Sequence, residues 1–247
     1  MSEPAATGVC LVIGAGEGLG GAIARAFART GLTVCVTRRA RHLASLEALC
    51  AQICAEGGKA HAFGVDARSE DETAALFDRI EREIGPIAVT VFNIGANVRF
   101  GIRETTARVF HKVWEMACFS GFLAGREAAR VMAPRGCGTI LFTGATASLR
   151  GGAGFAAFAA AKHGLRALAQ SMARELGPAG IHVAHVVCDG AIDGTFLRSR
   201  VEDVGPLLAE DSVLKPEDAA QAFVMLHQQP RSAWTHELDL RPWQEPF

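Results

Sequence analysis

The sequence of 247 residues contains no tyrosine. A phenol is therefore unavailable as acid, base or hydrogen-bond donor, and any mechanism that needs one is excluded. No charge sign dominates: 25 Lys and Arg stand against 26 Asp and Glu, a formal net charge of −1. Such a balance leaves no basic footprint for nucleic acid. No uncharged apolar run reaches the length of about 18 residues that a membrane span needs. A charged leader ahead of an apolar stretch is also missing, and Cys50 and Cys54 have no second pair at zinc spacing. The expected location is the cytoplasm. Cys10 and Cys35 fall in apolar strand-like runs, where reduced, buried thiols are expected.

What is present is a globular composition, 49% hydrophobic with 27 glycines, arranged as short β-branched runs alternating with longer helical patterns. That rhythm is the mark of βαβ units. Strands are expected at 8–13, 32–37, 60–65, 87–92, 139–143, 181–187 and 236–240. Helices are expected at 19–30, 41–56, 70–84, 105–133, 153–176 and 216–227, with an irregular flap at 194–214. The fold class is α/β: a Rossmann-type, doubly wound parallel sheet of about seven strands with helices on both faces, expected as a single domain over 1–247.

Between the first strand and first helix stand Gly14, Gly16, Glu17, Gly18, Leu19 and Gly20. Glycines here permit a tight turn and let a pyrophosphate approach the backbone, facing the unpaired N–H groups and positive end of a helix. The second strand ends in Thr37-Arg38-Arg39 rather than an acidic residue. Arginine accommodates a ribose 2′-phosphate, so NADP(H) is favoured over NAD(H). Glu17 opposes that preference unless Arg38 screens it.

These segments and their separations resemble the short-chain dehydrogenase/reductase family across almost the whole chain. The resemblance makes Gly14, Gly16, Gly18 and Gly20 the coenzyme loop. It places Asp66 and Ala67 at the adenine and Asn93 and Gly95 after the fourth strand, with Gly190 and Ile192 beside the nicotinamide. It gives Lys162 two duties, binding the nicotinamide ribose and supporting catalysis. The family's tyrosine, four residues before that lysine, is Phe158 here. Its serine, thirteen residues earlier, is Ala145, and its helix asparagine aligns with Ala117. The chain is thus expected to be a divergent member keeping only Lys162 of the catalytic set.

Several residues are candidates for the missing acid. Lys162 could donate a proton directly if burial lowers its pKa. Thr146 and Ser148 are candidates for binding a substrate oxygen, with local backbone capping as the other reading. Asp189 stands near the nicotinamide end as a possible relay or as a turn aspartate. His163 is expected to face another element, while His111, His182 and His185 read as structural. The leading expectation is an oxidoreductase acting on a small-molecule substrate by reducing an activated C=C or carbonyl group. Family members that reduce dienoyl thioesters also depart from the Tyr-x-x-x-Lys pair. The alternative is a catalytically silent NADP(H)-binding protein, a redox sensor or partner subunit; a third reading is an enzyme that uses the pocket without hydride transfer. The resemblance further implies a homodimer or homotetramer paired through the helices at 105–133 and 153–176. Phe196, Leu197, Leu207 and Leu208 suggest an apolar lid, and the tail at 241–247 a reach into a neighbouring subunit.

Overall fold

A computed structural model describes residues 8–245. Its strands are β1 (Val9–Ile13), β2 (Thr33–Arg38), β3 (Lys59–Gly64), β4 (Ile87–Phe92), β5 (Gly138–Thr143), β6 (Ile181–Cys188) and β7 (Glu237–Leu240). They form one sheet in the order β3-β2-β1-β4-β5-β6-β7, every neighbouring pair parallel. This is the doubly wound arrangement expected from the βα alternation. β1, an uninterrupted apolar run, and β6, which also carries His182 and His185, are buried along their full length, as strands are when helices cover both faces.

The principal helices are α1 (Leu19–Arg29), α2 (Leu43–Ala55), α3 (Glu70–Glu83), α4 (Ala107–Trp114), α5 (Ser120–Met132) and α6 (Ala156–Leu176). Two short ones, α7 (Thr195–Arg198) and α8 (Gly205–Ala209), precede α9 (Pro216–Gln228). On one face Ile23 and Phe27 of α1 and Phe223 of α9 bury against Val12 and Val34. On the other, Phe77, Met132 and Leu165 close over Ile13 and Phe142. Full burial of side chains this size contributes about 1.5–3 kcal/mol each, so the sheet is a rigid platform for whatever its strand ends carry.

Two helices differ from their expected extents. The helix foreseen at 105–133 is divided: α4 ends at Trp114, a wide π turn occupies Glu115–Phe119, and α5 begins at Ser120. Its start is set by Thr106, whose hydroxyl accepts the Val109 N–H at 3.2 Å. The helix foreseen from 153 starts at Ala156, because Gly154 holds φ +85°, a left-handed conformation outside helical geometry.

The flap contains α7 and α8 and is clamped at its base. Ile192 pairs with Leu214, and the Leu214 N–H donates to the Ala191 carbonyl at 2.8 Å. The tail lies on the flap of its own chain. The Trp243 indole donates to the Glu210 carbonyl at 2.9 Å, and the Ser212 hydroxyl donates to Gln244 at 2.8 Å. Positions 246 and 247, part of the tail expected to reach another subunit, fall outside the described residues. Among the described residues no helix is long and apolar enough to cross a membrane. Cys10 and Cys35 are buried free thiols, and burial pushes the Cys35 pKa up to about 12.

Candidate active site

The sheet order reverses between β1 and β4, opening a crevice at their carboxyl ends. Asn93, just past β4, spans it: its backbone N–H donates to Ile13 at 2.8 Å and its side-chain amide to Gly14 at 3.1 Å. Gly14 adopts φ +94°, and a Cβ there would lie 2.8 Å from the Asn93 carbonyl oxygen. A Cβ on Gly20 would meet the Gly14 oxygen at 2.5 Å. The loop is therefore compacted against α1 and β4, leaving the amino end of α1 open to a phosphate-sized anion.

Beyond this loop the crevice holds a cleft of about 190 Å³ lined by Gly14, Arg38, Asp66, Ala67, Asn93 and Gly95, among others. It is cationic. Arg38 crosses the loop, with Nη1 3.3 Å from where a Gly16 Cβ would stand. The charges of Arg38 and then Arg41 and Arg39, together with slight desolvation, lower the His42 pKa. Asp66 is engaged by Arg68, whose Nε donates to it at 2.9 Å and whose guanidinium hydrogen bonds hold the carboxyl below its ordinary pKa. Glu17 is exposed and leans toward the flap, its carboxylate 3.5 Å from the Thr195 hydroxyl.

A second cavity of about 1120 Å³ continues from Gly18, Leu19, Asn93 and Gly95 across the ends of β5 and β6. Gly190 and Ile192 line it, Gly190 at φ +138° and packed on Pro242. Phe196 and Leu197 of the flap also face it, whereas Leu207 and Leu208 are not among its lining residues. Of the four apolar residues that suggested a lid, the two on α7 line the cavity.

Three positions far apart in sequence meet beside it, Ala145 and Phe158 on its wall and Ala117 in the same apolar cluster. Ala117 and Phe158 belong to one apolar cluster, with Ala145 packed against it. Ala117 is fully buried in the wide turn, and Phe158 is 7% exposed. One helical turn beyond Phe158, the buried Lys162 ammonium donates to the carbonyls of Ile94 at 3.1 Å and Thr143 at 2.8 Å. Two of its three N–H donors are thereby spent and one remains. Burial pushes the Lys162 pKa down to about 8, against the opposing influence of Cys188 and Cys118.

The other candidate acids are already occupied. The Ser148 hydroxyl is buried and accepts the Ala145 N–H at 3.1 Å. The Thr146 hydroxyl donates to Asp189 at 2.6 Å. Asp189 is fully buried and also accepts from Arg150 at 3.0 and 3.3 Å and from Arg241 at 3.0 Å. Burial alone would raise its pKa, yet Thr146, Arg150 and the charge of Arg241 hold it below the ordinary carboxylate value. It is an ionised anchor, not a proton relay. His163 is exposed and bonds the Ala159 carbonyl of its own helix; it lies on the face of α6 turned from the sheet, not against another element. His185 is buried, its Nδ1 3.0 Å from Glu237, which Arg166 holds at 2.6 Å through both guanidinium ends. Burial pushes the His185 pKa down to about 4 despite Glu237, so it is neutral at ordinary pH. His111 is exposed, 3.6 Å from Glu115 one turn on, and His182 bonds the Thr235 carbonyl. Among the described residues no group of His, Cys, Asp and Glu could hold a metal ion.

Arg150 lines the cavity and escapes the sequence reading altogether. Its partner Asp189 is 39 residues away, a separation that carries no local signal.

A model of the short chain dehydrogenase family matches residues 8–204. The chain belongs to that family. It is 31% identical to the ketoacyl reductase HetN of Nostoc sp. over 219 residues, covering 87% of this chain and 73% of HetN. The crystal structure of a short-chain dehydrogenase from Rhodopseudomonas palustris superposes with TM-score 0.81 at 49% identity, covering 96% of this chain and 99% of that one. A metagenomic short-chain oxidoreductase in complex with NADP gives TM-score 0.81 at 26% identity over 95% and 96% of the two chains. The family-level description of the protein as an oxidoreductase with a Rossmann-type sheet follows from these matches.

Proposed function

We propose that this short-chain dehydrogenase binds NADP(H) along the β1–β4 crevice and reduces an activated C=C or carbonyl group in the adjoining cavity through a divergent site. One observation carries the reading: the intact glycine crevice runs directly into a cavity whose wall carries Ala145 and Phe158, with Ala117 buried in the same apolar cluster. The residues present fit the dinucleotide. Gly14, Gly16, Gly18 and Gly20 leave room for the pyrophosphate, and Glu17 and Leu19 complete its loop. Asp66 and Ala67 flank the adenine, and Arg38 supplies a cation for the 2′-phosphate. Asn93, Gly95, Gly190, Ile192 and Lys162 continue the wall toward the nicotinamide. A similar structure bound to NADP supports this choice. When bound, the dinucleotide supplies or accepts a hydride.

In this mechanism the remaining Lys162 N–H binds a ribose hydroxyl while Ile94 and Thr143 fix the ammonium in place. Phe158 keeps the volume of a tyrosine ring but offers no proton. A positioned general acid typically contributes about 10²–10⁴-fold, so chemistry that needs protonation at oxygen is disfavoured. The apolar wall favours a second reading, a catalytically silent NADP(H)-binding protein, because one assumption explains all three substitutions. The protein is read as one domain with its substrate flap at 194–214. A homodimer or homotetramer accompanies this reading: Phe110, Trp114 and Phe122 are exposed on α4 and α5, where Trp114, Phe119 and Phe122 stack in sequence.

Purified protein titrated with NADPH and NADH should bind NADPH more tightly, and a panel of enones and ketones should consume it with at least one enone. Binding without consumption of either class selects the silent reading. Failure to bind either dinucleotide at millimolar concentration overturns both.

A further inference from the structure

Cations outnumber acids on the cavity wall: Lys112, Arg150, Lys162 and Arg200 line it, and the lining carboxylate Asp193 is tied to Arg198 by two contacts of 2.8 Å. Of these cations Lys162 is held by the Ile94 and Thr143 carbonyls, and Arg150 is the other one anchored to a buried group. It follows the turn Thr146–Ser148 directly after β5, its backbone N–H donating to the Thr146 carbonyl at 3.1 Å. Its two terminal nitrogens grip opposite oxygens of Asp189 at 3.0 and 3.3 Å. Asp189 is 0% exposed, whereas the Arg150 side chain is 44% exposed. The guanidinium is thus anchored at its back and open at its front.

The geometry points to Arg150 as the electrophilic catalytic residue of this site, stabilising negative charge on a substrate carbonyl oxygen. It also points to an α,β-unsaturated carbonyl compound with an apolar body as the substrate class. This rests on the oxidoreductase reading above and narrows it.

A guanidinium has five N–H donors. Two are held by Asp189, leaving three for a ligand. Asp189 shares its charge with Arg241 and the Thr146 hydroxyl, so its field is not spent on Arg150 alone. Preorganised donors aimed at a developing oxyanion stabilise it without reorganisation, and removing one from an enclosed site typically costs about 10²–10³-fold; at a side chain 44% exposed the expected cost is smaller. Arginine stays charged at every working pH and does not surrender its proton. That property separates the two candidate reactions. Reducing a ketone leaves an alkoxide, which must receive a proton at oxygen. Reducing a conjugated C=C delivers the hydride to the β-carbon and shifts the π pair onto the carbonyl oxygen as an enolate. Water then protonates the α-carbon, and the two electrons come from the reduced dinucleotide, which is released oxidised. An arginine in place of a phenol stabilises charge on oxygen without supplying a proton, which suits the second course, where the proton goes to carbon. Phe100, Phe155 and Phe196, with Val98 and Val109, surround the rest of the cavity and suit an apolar substrate body.

The test uses 4-nitrophenol as an enolate mimic, followed by its absorbance on the full-length protein with and without NADP⁺. An apolar wall alone favours the neutral phenol. The expected result is the reverse: the wild-type protein binds the phenolate at least about tenfold more tightly than the phenol, lowering the bound pKa by about one unit. Arg150→Met should abolish or invert the preference, and Arg150→Lys should retain part of it, with melting temperatures confirming that each variant is folded. The Lys variant keeps the test decisive should the Met variant fail to fold. A wild-type preference for the neutral phenol, no binding of either form, or a phenolate preference unchanged in a folded Arg150 variant would each overturn the proposal. Absence of dinucleotide binding with an intact phenolate preference would sink the oxidoreductase reading and leave Arg150 as an oxyanion-binding residue without a hydride reaction. Intact dinucleotide binding without an Arg150-dependent preference would sink this inference alone.

Discussion

The crevice between β1 and β4 and the wall at the ends of β5 and β6 are adjacent but built differently. The first is made of backbone: glycines whose missing Cβ atoms leave space, and an asparagine that ties two strands together. The second is made of side chains, and two of them, Ala145 and Phe158, are apolar where the family resemblance implies polar groups. Backbone recognition cannot be altered without disturbing the fold, whereas a side-chain wall can exchange its chemistry and keep its shape. In the proposed reading, a dinucleotide site held by folding constraints stands beside a reaction site free to diverge.

The sharpest way to break that contrast is to restore the wall. Ala145→Ser combined with Phe158→Tyr should raise ketone reduction by about 10²–10⁴-fold, the usual worth of a positioned acid, measured as NADPH consumption. No gain would mean that the wall differs in shape as well as chemistry. The crevice should show the opposite temperament. Gly14→Ala places a Cβ 2.8 Å from a carbonyl oxygen at φ +94°, and strain of this kind costs about 1–3 kcal/mol before the overlap is counted. Denaturant unfolding should show a loss near the top of that range, with NADPH binding lost in parallel.

Lys162 belongs to both regions and gives a pH test. The folded protein sheds its ammonium proton at about 8, the unfolded chain nearer 10.5. Between those values the unfolded state binds more protons, so the contribution of this site to stability rises with pH from about 8 to 10.5 and is flat below 8. Wild type should gain on Lys162→Met by up to about 3 kcal/mol across that window. Taking the difference between the two proteins cancels the buried cysteines, whose raised pKa values act in the other direction. A flat difference would show that the ammonium is solvated. The smallest effect belongs to Arg38→Ala, which should weaken NADPH by about tenfold, or about 1.4 kcal/mol, and leave NADH nearly unchanged. Equal losses for both would remove the 2′-phosphate assignment.

Local signals made much of this molecule readable. All seven strands and the glycine loop follow from patterns within a few residues, and the family's spacing located Phe158, Ala145 and Lys162. The wide turn at Glu115–Phe119 was not readable, because five residues in one turn break the helical count on which periodicity depends. Nor was the Asp189 cluster: Thr146, Arg150 and Arg241 converge on one carboxylate from segments 39 to 52 residues away. Such convergence is fixed by strand order, which no sequence window contains. Asp189 accordingly read as a turn residue or a relay, and Arg150 did not stand out.

The bond between Arg241 and Asp189 has a consequence for how the cavity is completed. Arg241 directly follows β7, the edge strand, and so is synthesised after every other element of the sheet. Until β7 docks, the buried carboxylate lacks one of its cations and Gly190 lacks its packing against Pro242. The pocket floor is therefore the last part to acquire its native electrostatics, and a nascent chain arrested before β7 would hold Arg150 in a different field from the finished protein.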